Sequence, residues 1–193
     1  MSGIWPGETQ CVVMLGFDVD GVSSWLNRDP SYKNHPSLMS MAEYGPSVAT
    51  PRILDMLDAH SIPASFYVPG FVAETHEDLV SEIFKRGFEV AHHGYMHEPP
   101  STLTREQEND VIESGIRILS GITGEKPLGY RSPSWELSEH SLELLTDHGF
   151  LYDSSLMGDD APYIVDSEAN GKTIVELPIH WLLDDAPNFV YAP

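Results

Sequence analysis

Residues 11–21 read Cys-Val-Val-Met-Leu-Gly-Phe-Asp-Val-Asp-Gly, an apolar run that ends in two carboxylates and a glycine. An apolar run of this length, Cys11–Phe17, predicts a buried strand, and Cys11 within it reads as a small buried hydrophobe. Working outward, five further short β-rich runs follow: Ile62–Val68, Phe88–Ala91, Pro127–Tyr130, Phe150–Tyr152 and Thr173–His180. Helical spacing fills the gaps. Ser47–His60 repeats apolar residues at Val48, Ile53, Leu54 and Leu57, and His76–Arg86 stops at Gly87. In Thr104–Leu119, Thr104 and Gln107 form the pattern of a capping box. Ser138–His148 has Ser138 as its expected N-cap and Gly149 as its stop. Six strands alternating with helices predict an α/β fold with a mostly parallel sheet. The segment Gly21–Tyr44 carries Asn27, Pro30, Asn34 and Pro36, and reads as an excursion over the sheet rather than an element. Excursions of that length often serve as lids or binding loops.

Composition narrows the class. At 193 residues the chain is one domain's worth of protein and can bury a sizeable core without disulfides. Ten basic against 30 acidic residues give a formal charge of −20, which repels phosphate backbones and anionic lipid, so nucleic acid and membrane are not expected partners. A single cysteine allows no internal disulfide. The first residues lack the basic and apolar regions of a signal peptide, so the expected location is the cytoplasm.

The polar residues gather at predicted strand ends. Asp18 and Asp20 follow the first strand, His92 and His93 the third, Arg131 to Trp135 the fourth, and Asp153 to Ser155 the fifth. The last strand runs into His180, Trp181, Asp184 and Asp185. The C-terminal edge of a parallel sheet is where α/β proteins build sites. Asp18 and Asp20 share a face by strand periodicity, and two carboxylates so close need a cation or a shared proton, with a polar loop and an N-cap as the alternative reading. His93 and His97 are four apart, so on a helical turn both rings would share a face. Asp20, His93 and His97 together make the two-histidine, one-carboxylate set that holds a divalent metal with positions left open. Asp18 is then spare beside the metal as a general base on water. Arg131 serves best by pairing with Asp18, with a purely structural ion pair as the alternative. Trp135 reads equally as a pocket wall or a core residue. His92 reads as structural, Asp159-Asp160 as a solvated turn, and Asp184 and Asp185 as either a site rim or a solvated loop.

Taken as an ordered set, these stretches resemble the motifs of the polysaccharide deacetylase, or NodB-homology, family. Phe17-Asp18-Val19-Asp20-Gly21 is similar to its first motif and His93-Gly94-Tyr95-Met96-His97 to its second, with glycine where serine or threonine is usual. Arg131-Ser132-Pro133-Ser134-Trp135 is similar to the third, and Asp153-Ser154-Ser155 fits the fourth. Glu43-Tyr44-Gly45, the His-Gly-Tyr of the second motif and Leu177-Pro178-Ile179-His180-Trp181 resemble a cytoplasmic branch of peptidoglycan-deacetylase-like proteins, cyclic imidases and allantoinases.

The resemblance implies a distorted (β/α) barrel and a hydrolase of carbon–nitrogen bonds other than peptide bonds. It implies a divalent metal, zinc in the usual case, on Asp20, His93 and His97, with Asp18 as base and Arg131 tethered to it. It also places Tyr44, Trp135, Asp153 and Trp181 at the substrate pocket. Members usually continue through a strand bearing a histidine that acts as general acid, and residues 1–193 show none. The expectation is therefore a single catalytic domain over 1–193, lacking C-terminal strands. An open sheet edge invites self-association, so a homo-oligomer is expected. The leading substrate is an N-acetylated glycan. A small cyclic imide or ureide is the alternative, and a non-catalytic binding domain is the alternative of another class.

Overall fold

The structure, a computed structural model, describes residue 9 and residues 11–189. Seven strands form one sheet: β1 (Gly16–Asp18), β2 (Ser65–Val68), β3 (Glu89–His92), β4 (Gly129–Tyr130), β5 (Tyr152–Asp153), β6 (Tyr163–Asp166) and β7 (Thr173–Glu176). Their spatial order is β1-β2-β3-β4-β5-β7-β6. All neighbours pair in parallel except β6 and β7, which are antiparallel. Helices occupy the connections: α1 (Ser23–Arg28), α2 (Pro36–Tyr44), α3 (Thr50–His60), α4 (Gly70–Thr75), α5 (Glu77–Lys85), α6 (Arg105–Thr123), α7 (Ser141–Asp147) and α8 (Ala186–Phe189). The α/β class and the mostly parallel sheet stand as the alternation predicted. No described helix is long and apolar enough to cross a membrane.

Local chemistry accounts for the helix ends. At α6 the Thr104 hydroxyl accepts from the Gln107 amide while the Gln107 side chain accepts from the Thr104 amide, so the capping box is complete. Gly124 closes that helix in the left-handed region, where a Cβ would be strained. The core lies between sheet and helices in two clusters. One centres on Leu54, Phe66, Val72 and Ile83, the other on Ile112, Tyr130, Leu145 and Phe150. Each such side chain contributes about 1.5–3 kcal/mol through burial.

Four expectations change. First, β1 starts at Gly16 rather than Cys11, and Cys11, Val13 and Met14 are exposed. Among the described residues β1 has β2 as its one strand neighbour, and that pairing begins at the Gly16–Ser65 register, so the preceding apolar residues stay exposed. Second, Gly21–Tyr44 contains α1, a 3-10 turn over Pro30–Asn34, and α2. Pro30 and Pro36 stand at first helical positions, where the missing N–H costs nothing, so these prolines start helices. Third, the described residues hold seven strands rather than six. β6 is short, alternates half-buried with exposed residues, and is held by its antiparallel partner. Fourth, α7 begins at Ser141, and Ser138 instead accepts from the His140 amide in the turn before it.

Candidate active site

Parallel strands in register deliver their last residues to one edge. β1 brings Asp18 and Asp20, the segment after β3 brings His93 and His97, and the segment after β4 brings Arg131. Asp20 Oδ1 lies 3.4 Å from His93 Nε2, and Asp20 Oδ2 lies 3.3 Å from His97 Nε2. The two imidazoles are 5.1 Å apart and nearly perpendicular, at 77°. One ligand atom from each of Asp20, His93 and His97 falls within 4.8 Å of the others, a spread that one ion can bridge. Asp20 Oδ1 and His93 Nε2 are buried without a hydrogen-bond partner, although buried polar atoms are nearly always satisfied. An orphaned carboxylate oxygen facing an orphaned ring nitrogen is the donor set a divalent cation completes, so these residues fit a metal.

The two histidines do not meet on a helix. Residues 93–97 form an irregular turn in which Gly94 (φ 69°) and His97 (φ 62°) both adopt left-handed backbone. A Cβ at Gly94 would lie 3.0 Å from Pro133 Cγ, so glycine is what the close approach of the two loops requires. The amides of Gly70 and Phe71 donate to the carbonyls of Gly94 and Tyr95 (3.0 Å each), and side chains add further contacts to the turn. Glu98 Oε2 accepts from the amides of Met96 (2.7 Å) and Tyr95 (3.3 Å), and Asn27 Nδ2 donates to the His97 carbonyl (3.1 Å). His93 Nδ1 donates to the Arg131 carbonyl at 2.7 Å, which leaves its Nε2 lone pair facing Asp20.

Electrostatics follow the geometry. Burial would raise the Asp20 carboxyl, yet His97 and His93 beside it hold it well below the usual carboxylate range. Burial would lower His93, but Asp18 and Asp20 carry it above the ordinary imidazole value. The neighbouring His92 behaves oppositely, with burial pushing it down to about 3. Its Nδ1 accepts from the Gly94 amide at 3.1 Å and its Nε2 contacts the Ile112 carbonyl at 3.1 Å, so it is a neutral structural residue.

Asp18 stands beside this set with Oδ2 4.0 Å from His93 Nε2. Its Oδ1 accepts from Arg131 Nη1 at 2.7 Å. Arg131 is itself fixed: Nε donates to the Ser154 carbonyl, Nη2 donates to Ser154 Oγ, and the guanidinium lies 3.8 Å from the centroid of the Tyr67 ring. Gly16 makes room for it, since a Cβ there would fall 3.0 Å from both terminal guanidinium nitrogens. Sequence reasoning missed Gly16, Tyr67, Asn27 and Glu98. A glycine inside an apolar strand run was the one available signal, because such a glycine often marks close approach.

The four pocket residues separate. Trp135 and Trp181, far apart in the chain, pack with ring centroids 4.3 Å apart and planes tilted by 38°, and Trp135 is held in left-handed backbone (φ 55°). Asp184 follows that pair. Burial raises its carboxyl, and so do the charges of Asp185 and Asp18. Tyr44, half-exposed at the end of α2, accepts from Arg52 at 3.1 Å and does not join the pair. Asp153 was expected in the pocket and is instead fully buried, with 0% exposure, because the end of β5 is covered by β7 and the turn after it.

Comparison with known proteins agrees with this geometry. Residues 32–152 match the family model described as polysaccharide deacetylase. The chain is 34% identical to the peptidoglycan deacetylase of Helicobacter pylori over 94% of its own length and 69% of that protein's. It is 28% identical to a peptidoglycan deacetylase-like protein of Gibberella zeae over 99% of this chain and 64% of that one. A crystal structure from Mycobacterium smegmatis named for the same family superposes with a TM-score of 0.90 at 41% identity, over 94% of this chain and 63% of that one. PuuE allantoinase superposes with a TM-score of 0.79 at 26% identity, over 91% and 64%. The chain spans about two thirds of the length of these relatives. It belongs to the polysaccharide deacetylase family, whose members are hydrolases of carbon–nitrogen bonds other than peptide bonds.

Proposed function

We propose that this chain carries the site of a metal-dependent N-deacetylase that acts on an N-acetylated glycan. The observation that carries the reading is the pair of buried, unpartnered atoms, Asp20 Oδ1 and His93 Nε2, with His97 Nε2 on the other Asp20 oxygen. A divalent ion, zinc in the first instance, held by Asp20, His93 and His97 would polarise an amide carbonyl and acidify water.

The chain's own groups do the rest. Asp18 is held by Arg131 through one oxygen and presents the other toward the ligand set, where it accepts a proton from the attacking water. Water adds to the carbonyl carbon, the carbon–nitrogen bond breaks, and acetate and a free amine leave. The proton taken by Asp18 is the one the departing nitrogen needs. The packed Trp135–Trp181 pair supplies an apolar wall of the size a pyranose ring covers. The peptidoglycan deacetylase relatives support this substrate class.

Ring opening of a cyclic imide or ureide is the second reading, favoured by the likeness to PuuE allantoinase. The two separate on substrate, since both cleave a carbon–nitrogen bond beside a carbonyl.

The test measures bound metal by elemental analysis in the purified protein and in His93→Ala, then acetate release from N-acetylglucosamine oligomers and ring opening of a cyclic imide. About one ion per chain, lost in the variant, with chelator-sensitive acetate release that Asp18→Asn abolishes, is the expected result. Glycan binding that survives both substitutions without hydrolysis would replace the enzyme with a binding domain.

A further inference from the structure

Beneath the site lie two carboxyl groups that the chemistry above does not use. Asp153 at the end of β5 and Glu176 at the end of β7 are paired in register and both 0% exposed. Glu176 Oε1 accepts from the amides of Ser155 (2.9 Å) and Leu156 (3.0 Å). Asp153 Oδ1 accepts from Ser155 Oγ (2.6 Å), and that same Oγ accepts from the Ser132 amide (2.9 Å). Asp153 Oδ2 and Glu176 Oε2 are buried with no hydrogen-bond partner among the described residues. Two buried acids are costly to keep unless they serve each other and their surroundings. Burial raises both carboxyls, and the Glu176 charge raises Asp153 further, so the pair favours a protonated form over two charges.

The turn that these acids brace is the turn that holds Arg131. Ser154 lies between Asp153 and Ser155, the residue that both acids hold, and it accepts from both Arg131 Nε (3.1 Å) and Nη2 (2.9 Å). Ser132, tied through Ser155, immediately follows Arg131. We propose that Asp153 and Glu176 are positioning residues: by fixing residues 154–156 and Ser132 they set the direction in which Arg131 presents Nη1 to Asp18. The inference rests on the reading of Asp18 and Arg131 as the reactive pair.

The geometry specifies what a substitution must preserve. Glu176→Gln keeps an oxygen for the two amides and replaces the second carboxyl oxygen with a neutral N–H donor beside Asp153. Glu176→Ala removes the acceptor. Ser155→Ala cuts only the link from Asp153 to Ser132, and serves should Glu176→Ala fail to fold.

The experiment follows the Arg131 Nε–H resonance and its hydrogen exchange by NMR, alongside kcat and KM for acetate release from N-acetylglucosamine oligomers. In Glu176→Gln both readouts stay within about threefold of the unaltered protein. In Glu176→Ala, or in Ser155→Ala to a smaller degree, the Arg131 Nε–H loses protection. In Glu176→Ala kcat falls about 10- to 100-fold at unchanged KM and unchanged metal content, the size of a sub-ångström to ångström misplacement. Two results would overturn the inference: an Arg131 Nε–H as protected in the folded Ala variants as in the unaltered protein, or Glu176→Gln as impaired as Glu176→Ala. Failure of the unaltered protein to release acetate would sink the functional reading alone, because the NMR arm still decides whether the acid pair orients Arg131.

Discussion

The Nδ1 of His93 lies 2.7 Å from the backbone carbonyl of Arg131, so the residue that tethers Asp18 also sets the tautomer of a histidine in the candidate metal set. One strand end, after β4, thereby orients both halves of the site: its carbonyl faces the metal side, and its guanidinium faces the base. A displacement of residues 131–132 is felt by both, and the predictions below follow from contacts of this kind.

Asn27 and Glu98 hold His97 in a backbone conformation that an L-residue with a side chain adopts reluctantly. Contacts that orient ligands typically matter 10- to 100-fold in metal affinity. We expect Glu98→Ala to weaken zinc binding about tenfold or more, Asn27→Ala by a smaller factor, and Glu98→Gln, which keeps the acceptor oxygen, hardly at all. Competition with a chromogenic chelator reads the affinities. Equal affinities in all three would show that the turn holds itself.

His92 makes stability depend on acid. Its imidazole is carried by burial from the ordinary 6.5 to about 3, so the unfolded chain binds a proton that the folded chain refuses. Its contribution is fully present above pH 6.5 and is lost as pH falls toward 3, at about 1.4 kcal/mol per unit. Urea unfolding between pH 7 and pH 4 should show this slope, and His92→Asn should flatten it even though the variant is less stable at neutral pH.

Asp153 and Glu176 act with the opposite sign. Burial raises both above their ordinary values of 3.8 and 4.5, so the folded chain holds a proton that the unfolded chain releases. Their contribution is present at low pH and is lost as pH rises through the raised values. We expect Glu176→Gln to gain in Tm relative to the unaltered protein on going from pH 5 to pH 8. Parallel Tm curves across that range would mean that the pair carries no extra proton.

Gly16→Ala tests the passage of Arg131 beneath β1. The added Cβ would meet Tyr67 at 2.9 Å and both guanidinium nitrogens at 3.0 Å, in a site whose residues are pinned by hydrogen bonds. Crowding of this kind costs about 1–3 kcal/mol in stability. Acetate release should fall at least tenfold while metal content is kept. Wild-type turnover in the variant would show that Arg131 has room to move.

The parallel α/β arrangement and the gathering of Asp18, Asp20, His93, His97 and Arg131 at one edge are legible from the order of residues alone. Both are consequences of local pattern: apolar runs of strand length, helical spacing between them, and the rule that parallel strands end on the same side. Glycine and proline at α5, α6 and α2 mark helix ends by local backbone chemistry, although at α2 the proline begins the helix rather than forbidding it. What tertiary structure alone decided are the contacts between residues distant in the chain. Asn27 reaches the carbonyl of His97, Trp135 packs on Trp181, and Glu176 braces the turn that holds Arg131. Asp153 moved from an expected pocket to a buried pair because the register of β5 against β7, not the spacing of polar residues, sets which atoms see solvent. Hydrogen bonds of this kind depend on a few tenths of an ångström across segments whose separation along the chain carries no periodic signal.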